Sequence, residues 1–290
     1  MIIPTWAWIA IAVAVNGVIA LLARQKRALT VDGAIAAFVL GTALMSISGG
    51  WLYWSVMVVF FLTGTAVSRL GRERKHALAT MHEHGCERNW VQVVCNGGVG
   101  LVAAILCSVT EQGAFAIAAI VSFAATNADT WGSEIGILSR RAPRSILTGR
   151  ELPAGISGGV TLEGTFASLF GSLVIAVWFG LVALAALLAT GSLAGPSGVA
   201  RLLGTTSIIV VFGFLGSIVD SILGASIQAQ YVTAGNDDGQ ASGEPTERPH
   251  GPNGPNTLVR GVRFVTNDVV NLVSVAVASA AGGLFYAAVY

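Results

Sequence analysis

The chain has 290 residues, of which 54% are hydrophobic and only 11% are charged, and its mean hydropathy is +0.73. A soluble globular domain would carry about 25% charged residues, so this composition excludes an ordinary soluble protein and indicates a polytopic membrane protein. Sixteen basic and fifteen acidic residues nearly cancel, and we therefore expect no nucleic-acid partner. The three cysteines, Cys86, Cys95 and Cys107, do not form a disulfide framework.

Eight apolar segments are each long enough to cross a bilayer as a helix. They lie at about residues 5–23, 31–49, 51–68, 91–109, 114–138, 161–189, 202–229 and 265–288. The first segment begins without a basic region or an obvious cleavage site, so we expect a retained helix rather than a signal peptide. The predicted fold is an all-α transmembrane helical bundle of about eight spans, in a single domain over residues 1–290.

Charged linkers follow the first, third, fifth and seventh spans. They hold all the Lys and Arg residues except Arg201, so the positive-inside rule places these linkers in the cytoplasm and both termini on the other side. We expect an integral protein of a prokaryotic plasma membrane. The fourth linker, at about 230–263, is rich in Gly, Pro and acidic residues and is predicted to be flexible.

The fifth span carries five polar residues within roughly two helical turns: Asn127, Asp129, Thr130, Ser133 and Glu134. On a helix, Asp129 and Ser133 share one face, and Thr130 and Glu134 share the adjacent face. A carboxylate at this depth costs on the order of 2.5–3.5 kcal/mol. The structural alternative is a set of interhelical hydrogen bonds, but two acids favour a functional site.

Further polar residues lie in the spans at the same end of the predicted bundle: Asn96, Glu163, Asp220, Asn267, Asp268 and Asn271. All fall within roughly 15 Å of the predicted cytoplasmic boundary, whereas the outer ends hold Glu111 and Arg201. This asymmetry favours a cytoplasm-facing site. We predict that its catalytic residues are Asp129, Glu134, Asp220, Asn96 and Asn267. The alternatives are a lone hydrogen-bonded acid at Asp220 and helix caps at the start of the eighth span.

The third linker combines four arginines with a Gly-rich turn just before a helix. Its arginines are Arg140, Arg141, Arg144 and Arg150, and the turn contains Ser157, Gly158 and Gly159. Backbone N–H groups at a helix start bind phosphate well, although arginine after a span also serves orientation alone. Carboxylates beside arginines indicate Mg²⁺ and phosphates together. We predict Asp129, Glu134 and Asp220 as metal ligands, and Arg144, Arg150, Ser157, Gly158, Gly159, Asp268 and Asn271 as nucleotide-binding residues.

The second linker contains His76, His82, His84 and Cys86. Their spacing matches no familiar zinc pattern, so we interpret this segment as a solvated loop.

Six ordered stretches together resemble one family. They are RNWVQVVCNGG (88–98), ATNADTWGSEIG (125–136), GISGGVTLEGTFAS (155–168), DSILGASIQAQY (220–231), TERPHG (246–251) and TNDVVNL (266–272). The family is an integral membrane family, long labelled as a domain of unknown function, that contains the plant phytyl-phosphate kinases and the animal transmembrane protein nineteen. Its relatives often carry cysteines before TERxxxG, and this chain has none from Val232 to Pro245, which leaves a metal-stapled loop without support.

The resemblance implies a membrane kinase that converts a prenyl monophosphate to the diphosphate, with CTP or ATP as donor and Mg²⁺ as cofactor. A phosphate monoester has a second pKa of about 6, so the attacking oxygen is already anionic and needs no general base. A lipid-alcohol kinase would need one, and Asp129 or Asp220 could serve. The expected partners are the prenyl-phosphate lipid, the nucleotide and the bilayer, and oligomer formation is left open.

The rival reading is a cation- or proton-coupled transporter, because intramembrane acids also form ion pathways. A transporter predicts polar residues along the whole crossing, whereas the outer half of this bundle is nearly free of them. A lipid-handling scaffold without chemistry would leave the acids dispensable.

Overall fold

The structure is a computed structural model that describes residues 4–71, 87–190, 196–233, 243, 245–251 and 254–290. This part of the chain forms eight helices: α1 (Thr5–Gln25), α2 (Val31–Ser46), α3 (Gly50–Ser68), α4 (Trp90–Thr110), α5 (Gly113–Gly136), α6 (Leu162–Ala189), α7 (Pro196–Ser226) and α8 (Asn267–Val289). Seven of them are long and apolar enough to cross a membrane. The prediction of an all-α polytopic membrane bundle is therefore confirmed.

Helix α2 is shorter than predicted, since it ends at Ser46 and has 16 residues. A helix of that length rises about 24 Å, less than the roughly 30 Å of a bilayer core. The chain leaves the helix at Ile47, which is extended, and Gly49 then turns it into α3 with a φ of 67°. The predicted division of residues 31–68 into two helices is confirmed, but a full-length second span is not.

The four helices that begin at the charged end of the bundle all have a side-chain cap. The capping residues are Thr30 for α2, Asn89 for α4, Thr161 for α6 and Thr266 for α8. Asn89 and Gln92 form a reciprocal capping box with hydrogen bonds of 3.0 and 3.1 Å. These caps fix four helix N-termini, whose partial positive charges all face the same end.

Helix α5 lies at the centre, in contact with α3, α4, α6, α7 and α8. Every residue from Ile117 to Ala128 is buried. Small residues allow this close packing: a Cβ at Gly216 of α7 would lie 2.5 Å from the Cβ of Ala125. Membrane helices commonly pack through such small residues, and here they bring α7 directly against the polar end of α5.

The charged linkers meet at one end of the bundle. The first and second are joined because Thr30 N donates to Arg88 O at 3.0 Å and Arg88 N donates to Ala28 O at 3.1 Å. The third and fourth are joined because Ser157 N donates to Glu247 Oε1 at 2.9 Å. The pairing of linkers at a common end follows the predicted topology, while the membrane side that this end faces stays a prediction.

The third and fourth linkers contain short strands that the sequence did not predict. Strands β1 (Arg144–Ser145) and β2 (Gly159–Val160) pair antiparallel in the third linker. The fourth contains β3 (Gln230–Val232), β4 (Pro245–Thr246), β5 (His250–Gly251), β6 (Gly254–Pro255) and β7 (Thr257–Arg260). Of these, β4, β3 and β7 form a sheet in that order, and β5 pairs with β6. The segment at about 230–263 that was predicted to be flexible thus contains five short strands, while its residues 234–242, 244, 252 and 253 lie outside the described residues.

Candidate active site at the charged end of the bundle

Two of the predicted intramembrane acids come together where α7 packs on α5. The Asp220 carboxylate lies within electrostatic range of Asp129 and also of Glu247 from the fourth linker. Asp220 Oδ2 accepts a hydrogen bond of 3.0 Å from Ser274 Oγ of α8. Three helices and one linker therefore contribute residues to this acidic site. We call Asp129 and Asp220 the acid pair.

Like-charged carboxylates held close together repel each other, and this repulsion is strong where water is scarce. Asp129 and Asp220 lie on α5 and α7, and the close packing of these helices brings the two carboxylates within electrostatic range. A bound cation relieves such repulsion, and oxygen ligands are those that Mg²⁺ prefers. The acid pair is therefore suited to a divalent cation.

Glu134 belongs to a different group from the acid pair. Its carboxylate interacts electrostatically with Arg88, whose guanidinium lies over the Phe60 ring at 5.5 Å from the centroid. Gly64 leaves the space for this group, because a Cβ there would lie 3.0 Å from Arg88 Nη2 and 3.4 Å from Thr130 Cγ2. The face of α5 with Thr130 and Glu134 thus points toward Arg88.

Burial lowers the pKa of the Arg88 guanidinium, and the neighbouring Glu134 carboxylate opposes that shift. Arginine nevertheless stays protonated in proteins, so this half-buried side chain is a permanent positive charge at the charged end of α5. The pair supplies a cation beside a carboxylate, which suits an anionic group more than a metal ion.

The three predicted metal ligands do not form one cluster. Within the described residues, no group of three or more His, Cys, Asp or Glu side chains is arranged to hold a metal ion. Mg²⁺ is usually held by one or two carboxylates together with substrate phosphates and water, which the acid pair satisfies. Ser274 Oγ donates to Asp220 Oδ2 and to the backbone O of Asn271, and the Asn271 side-chain Oδ1 is buried without a hydrogen-bond partner. These residues fit Mg²⁺ without Glu134.

The Gly-rich turn of the third linker packs against the charged end of α7. Gly158 has a φ of 81°, and a Cβ there would lie 2.5 Å from the backbone N of Ala225. The N–H of Ser157 donates to Glu247, and that of Gly159 donates to Ile156 O at 3.2 Å. The expectation that this turn presents free N–H groups is therefore wrong for Ser157 and Gly159, because the fourth linker and the turn itself use them.

The two arginines predicted to bind phosphate are both exposed. Arg144 Nη2 lies 3.3 Å from Glu151 Oε1 in a solvent-exposed ion pair. Arg150 lies at the adjacent turn, where its backbone O accepts from Ser145 N at 2.8 Å. Exposed ion pairs contribute little to stability, so both guanidinium groups are available to an incoming anion.

The site residues predicted on α8 and α4 do not all lie together. The backbone O of Asn271 accepts a hydrogen bond from Ser274 Oγ, whereas Asp268 is buried and lies near Cys95 of α4. Asn267 is exposed at the start of α8. Asn96 lines a cavity between α1, α2, α3 and α4. Of these four, Asn271 is joined to the acid pair through its backbone O, which accepts from the Ser274 hydroxyl.

Asn127 is a structural cross-link. It is fully buried, its Nδ2 donates to Gly171 O at 2.8 Å, and its Oδ1 accepts from Thr63 Oγ1 at 3.1 Å. It therefore joins α3, α5 and α6, which is the interhelical role that we weighed for the whole polar stripe.

Sequence reasoning missed three residues of the site: Arg88, Glu247 and Ser274. Arg88 and Glu247 stand in the stretches RNWVQVVCNGG and TERPHG, so their position in these motifs was the available signal. Ser274 had no such signal, because serine in an apolar span usually bonds its own helix backbone. The predicted loop residues His76, His82, His84 and Cys86 lie outside the described residues.

The fold and the site define a polytopic membrane protein with paired carboxylates at one end of the helical bundle, beneath linkers rich in arginine. Residues 14–279 match the family described as integral membrane protein DUF92. The chain belongs to this family, as the sequence motifs predicted.

Relatives occur in plants and in archaea. The chain is 32% identical over 284 residues to Protein PGR of Arabidopsis thaliana, with 92% of each chain covered. It is 31% identical over 219 residues to a membrane protein of Methanocaldococcus jannaschii, covering 74% of this chain and 81% of the relative. It is 26% identical over 258 residues to Protein VTE6, chloroplastic, of Arabidopsis thaliana, covering 87% of this chain and 63% of the relative. No solved structure matches the chain.

Proposed function

We propose that the protein is a membrane kinase that transfers the γ-phosphate of a nucleotide to a prenyl monophosphate. The observation that carries this proposal is the acid pair, two carboxylates from adjacent helices held within electrostatic range at the end where the arginines gather. The family resemblance to phytyl-phosphate kinases supports the choice of substrate. The product is the prenyl diphosphate, and the nucleoside diphosphate leaves.

The proposed reaction exchanges one phosphorus–oxygen bond for another. An oxygen of the prenyl phosphate bonds to the γ-phosphorus, and the bond from that phosphorus to the β,γ-bridging oxygen breaks. The attacking phosphate is largely dianionic at neutral pH, so the protein does not need to remove a proton. Its task is to position two polyanions and neutralise their charge.

Asp129 and Asp220 would hold Mg²⁺, since their carboxylates lie within electrostatic range of each other. When bound, this ion supplies positive charge for the phosphate oxygens and so offsets their mutual repulsion. Ser274 holds Asp220 in place through its 3.0 Å hydrogen bond. CTP or ATP serves as donor in this proposal, with its phosphates near the third linker.

Arg144 and Arg150 are the proposed nucleotide contacts, since both are exposed beside the turn at Gly158. Glu247 binds the Ser157 N–H and so keeps the third and fourth linkers together over the acid pair. In a prokaryotic plasma membrane with the arginine-rich end in the cytoplasm, nucleotide would have direct access to this side.

The outer half of α5 supports an enzyme rather than a transporter. Ile117, Ile120 and Ile209 pack there with almost no exposure. A transport path would need polar side chains or water along the crossing, whereas these side chains fill the outer route with apolar groups. The acid pair is thus suited to chemistry approached from one side.

Transfer of labelled γ-phosphate tests the proposal. Purified full-length protein in detergent is incubated with Mg²⁺, CTP or ATP, and geranylgeranyl or phytyl monophosphate. We expect labelled prenyl diphosphate from the wild type and at least 100-fold less from Asp129→Asn and Asp220→Asn. Glu111→Gln is the matched control, because it neutralises an exposed carboxylate at the end of α4 away from the acid pair.

Three outcomes would contradict the proposal. Absence of diphosphate with either donor, from protein that elutes as a folded species, excludes the prenyl-phosphate kinase. Product from geranylgeraniol instead of its monophosphate moves the activity to a lipid-alcohol kinase. Full activity in both Asp→Asn variants removes the acid pair from the mechanism.

A further inference from the structure

The described part of the chain also contains a mainly apolar cavity. It is enclosed by α1, α2, α3 and α4 and has a volume of about 410 Å³, within the roughly 300–1,000 Å³ of ligand pockets. Its walls are mainly apolar and include Ile19, Leu40, Phe61 and Val93. We call this space the tail cavity.

The mouth of the tail cavity is basic. Lys26, Arg69 and Arg88 line it at the charged end of the bundle, and Arg69 Nη2 donates to Lys26 O at 3.1 Å, which holds two of these residues together. Lys26 and Arg69 are exposed, whereas Arg88 is half-buried over Phe60. The cavity thus has an apolar body and a cationic rim.

In the part of the chain that the structure describes, the deep end of the tail cavity contains no polar side-chain atom that needs a hydrogen bond from a ligand. Asn16 lies there, but its Nδ2 donates to Ala12 O at 2.8 Å and its Oδ1 accepts from Trp54 Nε1 at 2.9 Å. Its polar atoms are already paired within the protein. A long apolar chain could therefore reach this depth without leaving a buried polar atom unpaired.

Arg88 connects the tail cavity to the acid pair. Its guanidinium lines the cavity and interacts with Glu134 of α5, and Glu134 follows Asp129 by about 7.5 Å of helix rise. An anionic group held by Arg88 would therefore lie close to the end of α5 that carries the acids. The same residue lines an apolar cavity and interacts with the helix that carries Asp129.

We propose that the tail cavity holds the isoprenoid chain of the lipid substrate and that Arg88 contacts its phosphate. This inference rests on the proposed function and adds the place where the substrate binds. Charge complementarity at the mouth, which Lys26, Arg69 and Arg88 line, selects an anionic headgroup. Arg69 and Lys26 extend the attraction to solvent.

Binding without nucleotide tests the inference separately from catalysis. Full-length protein in detergent is titrated with labelled geranylgeranyl monophosphate, and geranylgeraniol and phosphatidic acid serve as competitors. Ala37→Phe fills the cavity from α2, and Val39→Phe is its control because Val39 is 57% exposed on the same helix and does not line the cavity. Arg88→Gln removes the charge, and Arg27→Gln is its control in the first linker.

We expect Ala37→Phe and Arg88→Gln each to weaken monophosphate binding at least tenfold, while Val39→Phe and Arg27→Gln bind as the wild type does. Arg69→Gln should cause a smaller loss of affinity. Because Arg69 is exposed, this variant tests the charge at the mouth even if Arg88→Gln fails to fold. Arg88→Gln should also remove most of the preference for monophosphate over geranylgeraniol.

Unchanged binding in Ala37→Phe would overturn the inference, as would equal competition by phosphatidic acid, which would make the tail cavity a bilayer-lipid site. If binding follows these expectations but no phosphate is transferred, the proposed kinase fails and the lipid site stands. If transfer occurs and Ala37→Phe has the wild-type KM and affinity, the kinase stands and the tail cavity is not the substrate site.

Discussion

The Ser274 hydroxyl of α8 donates a 3.0 Å hydrogen bond to Asp220 Oδ2 of α7. The same hydroxyl also bonds Asn271 O of its own helix, so it links the acid pair to the start of α8. Asp220 faces two other carboxylates, and a donor that stabilises its charged form offsets part of their repulsion. Ser274 is therefore a positioning residue for the acid pair.

Ser274→Ala should reduce kcat for phosphate transfer about tenfold, because a hydrogen bond to a charged group contributes roughly 1.5–3 kcal/mol. The loss of this donor should also raise the Mg²⁺ concentration needed for half-maximal rate. Both parameters come from initial rates over a series of Mg²⁺ concentrations.

Ser279→Ala is the matched control for this prediction. Ser279 Oγ donates to Ala118 O at 2.8 Å and is also buried in α8, but it lies farther along the helix from the charged end. We expect a lower melting temperature with an unchanged Mg²⁺ dependence. Equal shifts in Mg²⁺ dependence for the two variants would reduce Ser274 to a packing residue.

Arg150→Ala should raise the KM for nucleotide several-fold and leave the melting temperature unchanged, because the side chain is exposed and surface substitutions alter stability by about 0.5 kcal/mol or less. Arg144→Ala should have the same effect on KM despite the loss of its ion pair with Glu151. Glu151→Ala is the control that breaks the ion pair but keeps both arginines. An unchanged KM in both arginine variants would mean that these arginines do not bind nucleotide and serve only to orient the protein in the membrane.

The helical period predicted which faces of α5 carry its two acids. It assigned Asp129 and Glu134 to adjacent faces of α5, and the structure directs these faces to Asp220 and to Arg88 respectively. Our grouping of all three acids as metal ligands ignored that division. That grouping followed depth in the predicted span rather than direction around the helix, and it stays a prediction.

Contacts between distant linkers could not be predicted in the same way. The bond from Ser157 to Glu247 joins two polar segments with no apolar period to fix their register. The short strands of the third and fourth linkers likewise depend on tertiary contacts, as at Tyr231, which pairs with Thr246 and Leu258. The spans were predictable because length and hydropathy alone define them.

Glu247→Ala should release the fourth linker from the third, since the carboxylate accepts the 2.9 Å hydrogen bond from Ser157 N. We expect faster trypsin cleavage at Arg248 and a higher nucleotide KM. Glu247→Gln keeps an acceptor oxygen but removes the negative charge near Asp220, so it should resist trypsin as the wild type does. If Glu247→Gln is cleaved as fast as Glu247→Ala, charge rather than the hydrogen bond holds the linkers together.

Gly158→Ala should impair both folding and activity, because this position combines two constraints. Its φ of 81° is unfavourable for a side chain, and the added Cβ would lie 2.5 Å from the Ala225 backbone N. Gly149→Ala is the matched control in the same linker: its φ is 68°, but nothing lies within 4 Å of the added Cβ.

Gly149→Ala measures only the cost of placing a side chain in the left-handed backbone conformation, which is roughly 1–2 kcal/mol. We expect Gly158→Ala to lower the melting temperature clearly more than Gly149→Ala does, and to reduce transfer because the third linker moves away from α7. Melting curves and initial rates of both variants measure the difference. Equal effects at the two positions would mean that the turn does not pack on α7 at Ala225, and the proposed nucleotide contacts of this linker would lose their anchor.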